Sequence, residues 1–127
     1  MIKDINDLQI YEKSLNLLPD LYKLLEKLPK TESFLINQVK RAAISIPSNI
    51  AEGFSKRIFY KEFKRYLLIS LASTDELQSH LRVISIIRPD LAVESNDLIN
   101  KYKLLAKQIN TTHSVWQFKP GDSSDFI

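Results

Sequence analysis

Apolar residues recur at steps of three and four along most of the chain, and short stretches holding proline or glycine divide them into four runs. The first run carries Leu8, Tyr11, Leu15, Leu18, Tyr22 and Leu25, a spacing that places them along one side of a helix. Asp7 is its expected N-cap and Pro29 closes it. Pro19 falls inside and predicts a kink, because proline lacks an N–H and its ring crowds the preceding turn. The second run starts after Lys30-Thr31-Glu32, with Thr31 as the expected cap. Its stripe is Leu35, Val39, Ala42, Ile46 and Asn49, with Ile50 alongside, and Gly53 reads as a C-terminal stop. The stripe keeps its phase across Pro47, which predicts one continuous kinked helix.

The third run is the most regular. Phe63, Leu67, Ser70, Thr74, Leu77, Leu81 and Ile84 alternate steps of four and three, an unbroken heptad seam. Ser70 and Thr74 are small and allow a neighbouring helix to come close. From Tyr66 to Ser73 the helix is apolar nearly all round, and apolar surface on every side needs cover on every side. One bundle covers a single face of each helix, so this run predicts burial against another subunit. Pro89 ends the third helix and Ser95 is the expected cap of the fourth. The fourth stripe is Leu98, Tyr102, Leu105, Ile109, Thr112 and Trp116. Short connections between four such helices give an all-α, up-down-up-down antiparallel four-helix bundle. Residues 1–118 form one domain in this reading, and 119–127 a short, polar, frayed tail.

Composition changes this picture little. The chain has 127 residues, 44% hydrophobic and 26% charged, ordinary values for one globular domain. Two glycines disfavour a many-stranded β fold. The absence of cysteine excludes a disulfide scaffold and any thiolate metal site. The polar N-terminus does not read as a signal peptide, and no apolar run approaches the roughly 20 residues of a membrane span. A soluble cytoplasmic protein is the expectation.

Catalytic chemistry finds no constellation. A bundle metal site needs Glu-x-x-His on two helices, whereas only His80 and His113 exist, and Glu76 with His80 reads as an ordinary surface pair. No serine stands in a motif with a base, and Gly53 and Gly121 stand alone rather than in a phosphate loop. No enzyme activity, metal or cofactor is expected.

Two surface features remain. Gln38, Arg41, Ser45, Asn49 and Glu52 share a narrow polar wedge beside the apolar stripe of the second helix. An exposed polar face is one reading. A buried hydrogen-bonded network with neighbouring helices, fixing register, is the other, and it is favoured over a ligand site. Charge supplies the second feature. The net charge is +3, but residues 40–65 hold Lys40, Arg41, Lys56, Arg57, Lys61, Lys64 and Arg65 against Glu52 and Glu62, a local +5. Lys56, Arg57, Lys61, Lys64 and Arg65 cluster at the second connection with Phe54, Phe59, Tyr60, Phe63 and Tyr66 interleaved. Cations beside rings are suited to phosphates and stacked bases. Phe59 and Tyr60 are the rings expected at the surface. A solvated helix face is the plainer reading of the same charges.

The run from Gln38 to Gly53, Gln-Val-Lys-Arg-Ala-Ala-Ile-Ser-Ile-Pro-Ser-Asn-Ile-Ala-Glu-Gly, resembles the signature of the four-helix-bundle proteins encoded in 23S rRNA intervening sequences. That signature, roughly Q-x-x-R-A-A-x-S-I-P-x-N-I-A-E-G, is met at every fixed position. Leu8-Gln-Ile-Tyr-Glu-Lys is similar to the family's L-x-V-W-x-K with Tyr11 for the usual Trp, and Leu28-Pro-Lys-Thr-Glu32 is similar to F-P-x-x-E. Glu62-Phe63 through Glu76-Leu77 resembles E-F-x-x-F-L … S-x-x-E-L, so the resemblance covers residues 6 to 112. It departs at Ile69-Ser-Leu-Ala-Ser-Thr74, where relatives often read I-A-x-G-S. The resemblance implies a homopentameric ring with a central channel and a structural role for Arg41, Asn49, Glu52 and Glu76. A related branch, the accessory proteins of diversity-generating retroelements, binds nucleic acid and a reverse transcriptase through a basic pentamer surface. Expected partners are thus copies of the chain, RNA or DNA, or another protein, and no membrane.

Overall fold

The computed structural model describes residues 4–5 and 8–116. Five α-helices are present: α1 (Gln9–Asn16), α2 (Leu18–Glu26), α3 (Ser33–Phe54), α4 (Tyr60–Ile87) and α5 (Ala92–Val115). Single 3-10 turns, Lys30–Glu32 and Pro89–Leu91, precede α3 and α5. No strand occurs among the described residues. α1 and α2 are one arm interrupted at Leu17, so the architecture is the expected four-helix bundle. α4 packs against both α3 and α5, and the α1–α2 arm closes the ring between them. The expected cap Asp7 and the expected tail at 119–127 lie outside the described residues.

Pro19 breaks the first arm rather than bending it. It occupies the second position of α2, where its missing N–H leaves no helical bond unmade. The core-facing line of this arm is also displaced from the expected stripe. Ile10, Ser14, Leu21, Leu24 and Leu28 are buried, together with Leu8 and Leu25. Tyr11, Leu15, Leu18 and Tyr22 are only half-buried. The arm has two adjacent apolar lines, and Ser14 hides the true one by putting a hydroxyl in it. That hydroxyl is satisfied locally, donating to the Tyr11 carbonyl at 2.6 Å.

Three expected helix signals act differently. Thr31 caps nothing: it lies in the 3-10 turn, where Glu32 N–H bonds the Pro29 carbonyl at 2.9 Å. Ser95 lies inside α5 with its hydroxyl buried, because the turn at Pro89–Leu91 already starts that helix three residues earlier. Gly53 is inside α3, not a left-handed stop. A Cβ there would stand 2.6 Å from Tyr66 Cβ and 3.0 Å from Phe63 Cδ1, so its hydrogen lets α4 cross close.

α3 is continuous through Pro47, as the phase of its stripe predicts. The missing N–H of Pro47 deprives the Ala43 carbonyl of its usual donor and loosens the turn. Side chains gather on the neighbouring carbonyls. Ser45 Oγ lies 2.8 Å from the Ala42 oxygen, Ser48 Oγ 2.8 Å from that of Ile44, and Asn49 Nδ2 2.8 Å from that of Ser45. Ser70 of α4 donates to the Ile46 carbonyl at 3.1 Å from within the core. Every residue of the α4 seam from Phe63 to Ile84 is buried. Burial of each large side chain there is worth about 1.5–3 kcal/mol relative to exposure.

Candidate nucleic-acid interface

The antiparallel course brings the C-terminal ends of α3 and α5 and the N-terminal ends of α1 and α4 to one end of the bundle. Lys56, Arg57, Lys61, Lys64 and Arg65 lie there, in the α3–α4 connection and the first turns of α4. Their surroundings differ. Lys56 Nζ is 2.6 Å from Glu52 Oε1 and 5.5 Å from the centre of the Tyr66 ring. Arg65 Nε donates to Glu62 Oε2 at 3.0 Å, and its guanidinium carbon lies 4.5 Å from the centre of the same tyrosine ring. The hydrogen bond to Glu52 raises the Lys56 pKa, and that to Glu62, then Tyr66, raises that of Arg65. Both stay charged at neutral pH, but their charge is already matched. Arg57 donates from Nη1 to the Phe54 carbonyl at 3.1 Å and lies 4.1 Å over that ring.

Lys61 and Lys64 have no carboxylate within ion-pair distance among the described residues. Lys61 is exposed, and Lys64 stands 6.0 Å over the Tyr60 ring. Beside them Phe59 is 67% exposed and Ile58 44%. Of the two rings expected at the surface, Phe59 is open and Tyr60 is half-buried beneath Lys64. Phe54 and Phe63 are core, and Phe63 stacks edge-on with both Phe54, at 6.1 Å, and Trp116, at 4.7 Å.

The opposite end carries several ion pairs. Lys27 bonds Glu94 at 2.6 Å, joining α2 to α5, and Arg88 clasps Asp90 through Nε at 2.9 Å and Nη2 at 2.8 Å. Lys101 bridges Asp97 at 3.1 Å and Asp20 at 3.9 Å along the same flank. Lys27 and Arg88 are thus matched at that end, whereas Lys30 in the adjoining 3-10 turn is exposed and has no ion pair among the described residues.

The polar wedge of α3 is divided by the structure. Only its middle joins a neighbouring helix: Ser45 Oγ lies 2.6 Å from Ser73 Oγ. Each hydroxyl has one proton, and both are used when Ser45 donates to Ser73 and Ser73 donates to the Ile69 carbonyl at 3.2 Å. Arg41, Glu52 and Glu76 are exposed and Gln38 half-buried. A buried network running from Arg41 to Glu52 therefore does not form within one subunit. Glu52 serves Lys56, and Glu76 faces His80 at 3.4 Å one turn along α4. Ser70 and Ser73 tie α4 to the proline turn: Ser70 is a small member of the heptad seam, and Ser73 is the serine of the S-x-x-E-L resemblance, neither of which by itself signals that contact. Among the described residues no three His, Cys, Asp or Glu gather as a metal site would require, and no helix is long and apolar enough to cross a membrane.

Fold and surface together define a class: an antiparallel four-helix-bundle protein with a cluster of cations and aromatic rings at one end. The family follows from the sequence match. The chain belongs to the 23S rRNA-intervening sequence proteins, whose family model matches residues 6–111. No curated protein matches the sequence.

Proposed function

We propose that this chain is a non-catalytic module that assembles with copies of itself and binds RNA, or another nucleic acid, through the basic end of its bundle. The observation that carries this is the pair Lys61 and Lys64, without carboxylate partners among the described residues, beside the exposed Phe59. Such groups neutralise phosphates and release their counterions, and neighbouring rings stack on bases. The family's link to rRNA genes agrees with an RNA partner. Self-association is supported by apolar side chains on the outside of α4, where Leu68 is 48% and Ile86 64% exposed. A pentamer is the assembly proposed, and the cytoplasm its location.

RNA affinity measured against salt tests the reading. Binding is expected to weaken with a log–log slope of about 0.7 per phosphate neutralised on a single strand. The double change Lys61→Glu and Lys64→Glu is expected to cost about tenfold or more at low salt. Reversing Lys56 or Arg65, already held by Glu52 and Glu62, costs less. Absent binding, or binding indifferent to Lys61 and Lys64, overturns the proposal. The exposed apolar face of α4 also favours a second reading, a scaffold whose assembly engages a protein. That reading gains if the oligomer forms, ignores nucleic acid and co-purifies with one specific protein.

A further inference from the structure

α5 sorts its charges by flank. Glu94 and Asp97 lie on the side toward α2, where they hold Lys27 and Lys101. The side toward α4 carries no acid. Asn96, Asn100, Lys103, Lys107, Asn110 and Ser114 follow one another there at steps of four and three, all exposed. The first three line an open groove against Gln78, Ser79 and Arg82 of α4, and the half-buried Ile99 completes the lining. The space holds about 550 Å³, so this flank of the bundle is a trough rather than a flat face. No carboxylate is among its lining residues. Neither Arg82 nor Lys103 has one within ion-pair distance among the described residues. Gln78, Ser79, Asn96 and Asn100 are neutral groups that both donate and accept.

The groove leads to the basic end. Gln78 lies two heptads after Lys64, and Arg82 one turn further, so Lys64 and Arg82 share the flank of α4 nearest α5. Lys61 stands one turn before Lys64. From Lys61 to Arg82 the helix rises about 30 Å. Because α5 runs antiparallel, Lys103 and Lys107 fall between those limits on the facing helix. Two rows thus present Lys61, Lys64, Lys107, Lys103 and Arg82, and Asp75 is the one carboxylate on either row. None of the five cations is in an ion pair among the described residues.

We propose that one strand of a nucleic acid lies along this groove, its phosphates on Arg82, Lys103 and Lys107. This rests on the nucleic-acid reading above and adds the course of the ligand and the residues that hold it. Cations spaced along a trough track a charged backbone, whereas a small anion needs donors that converge on one point. The carboxamides and Ser79 donate to phosphate and sugar oxygens without adding negative charge, contacts that position a strand rather than read its sequence. Helix axes about 8–10 Å apart leave a trough for one strand, and a duplex meets only its rim. At a stacked rise of about 3.4 Å, the length available holds about nine nucleotides.

The full chain is titrated over a range of salt with uridylates of four and twelve nucleotides, a twelve-base-pair RNA duplex and a twelve-residue polyglutamate. The twelve-mer is expected to bind about tenfold or more tightly than the four-mer. Arg82→Gln with Lys103→Gln is expected to lower twelve-mer affinity about tenfold and the salt slope by about 1.4, from about 0.7 per lost phosphate contact. Lys23→Gln with Lys30→Gln removes the same charge outside the groove and should change affinity by no more than about twofold, since distant surface charges are screened. All four residues are exposed, and thermal unfolding of both variants checks the fold. If RNA binding depends on Lys61 and Lys64 but the groove variant matches the control, the groove proposal fails and binding at the basic end stands. If the groove variant loses affinity while Lys61→Glu with Lys64→Glu does not, the groove holds the strand and the reading of the basic end fails. If no RNA binds, both fail. A duplex bound as tightly as the single strand overturns the one-strand track. Polyglutamate bound more tightly than the twelve-mer overturns it in favour of an acidic protein partner.

Discussion

Gly53 shows how one hydrogen atom sets a helix contact. In an exposed helix, alanine outperforms glycine by about 1 kcal/mol. At Gly53 that gain is overruled, because a Cβ meets Tyr66 Cβ at 2.6 Å, and both atoms are carried rigidly by their backbones. Gly53→Ala is expected to destabilise by about 1–3 kcal/mol, read as a lower midpoint in denaturant unfolding. Tyr102 presents the reverse case. Its ring is fully buried, burial pushes its phenol pKa up, and its hydroxyl has no hydrogen-bond partner among the described residues. Tyr102→Phe removes an unsatisfied polar atom and keeps the ring, so stability should hold or rise by about 1 kcal/mol. A clear fall in the unfolding midpoint would show that the hydroxyl has a partner in solution. Neither residue announces itself in the sequence: Gly53 resembles a helix stop and Tyr102 one more member of an apolar stripe.

At the scale of elements, periodicity located every helix, and errors arose where a second force competed with it. The α4 seam was legible from end to end because nothing interrupts its heptads. The first arm was read one line over, since two apolar lines run side by side and a serine sits in the buried one. Helix starts were misassigned at Thr31 and Ser95 because 3-10 turns precede α3 and α5 and begin them without side-chain caps. The turn before α5 supplies a pH-dependent contact. The two hydrogen bonds from Arg88 hold the Asp90 carboxyl below its usual pKa, and Arg88 Nη1 also donates to the Lys27 carbonyl at 3.2 Å. A depressed carboxyl pKa stabilises the fold above the unfolded value and loses that contribution as pH falls through the folded one. Melting temperatures of the wild type and Asp90→Asn should therefore differ by a steady small amount above about pH 5 and converge below about pH 4. A gap that persists into acid would mean that the carboxylate charge plays no part.

The whole molecule is organised by the cations gathered at one end and the exposure of α4. Changing Leu68 and Ile69 to Lys tests the proposed assembly without touching the core. Light scattering should show the mass fall to that of a 14.7 kDa monomer. The helical signal should be retained, because single surface changes of this kind alter subunit stability by only about 0.5 kcal/mol. A wild-type monomer would remove the reason for the apolar exterior of α4.

By itself the sequence determined the number and order of the main helices, the seam of α4, the continuity of α3 through Pro47 and the gathering of cations at one connection. These are local properties, written in periods of three and four residues and in runs of like charge. The matching of Lys56 to Glu52 and of Arg65 to Glu62 is local as well, at separations of four and three residues, and there the tertiary structure decided only that those rotamers are taken. It also decided that Gly53 serves a helix crossing, that Ser70 and Ser73 secure the proline turn, and that Trp116 meets Phe63 across the bundle. Those contacts join residues far apart in the chain, and no local period records which distant side chains will meet.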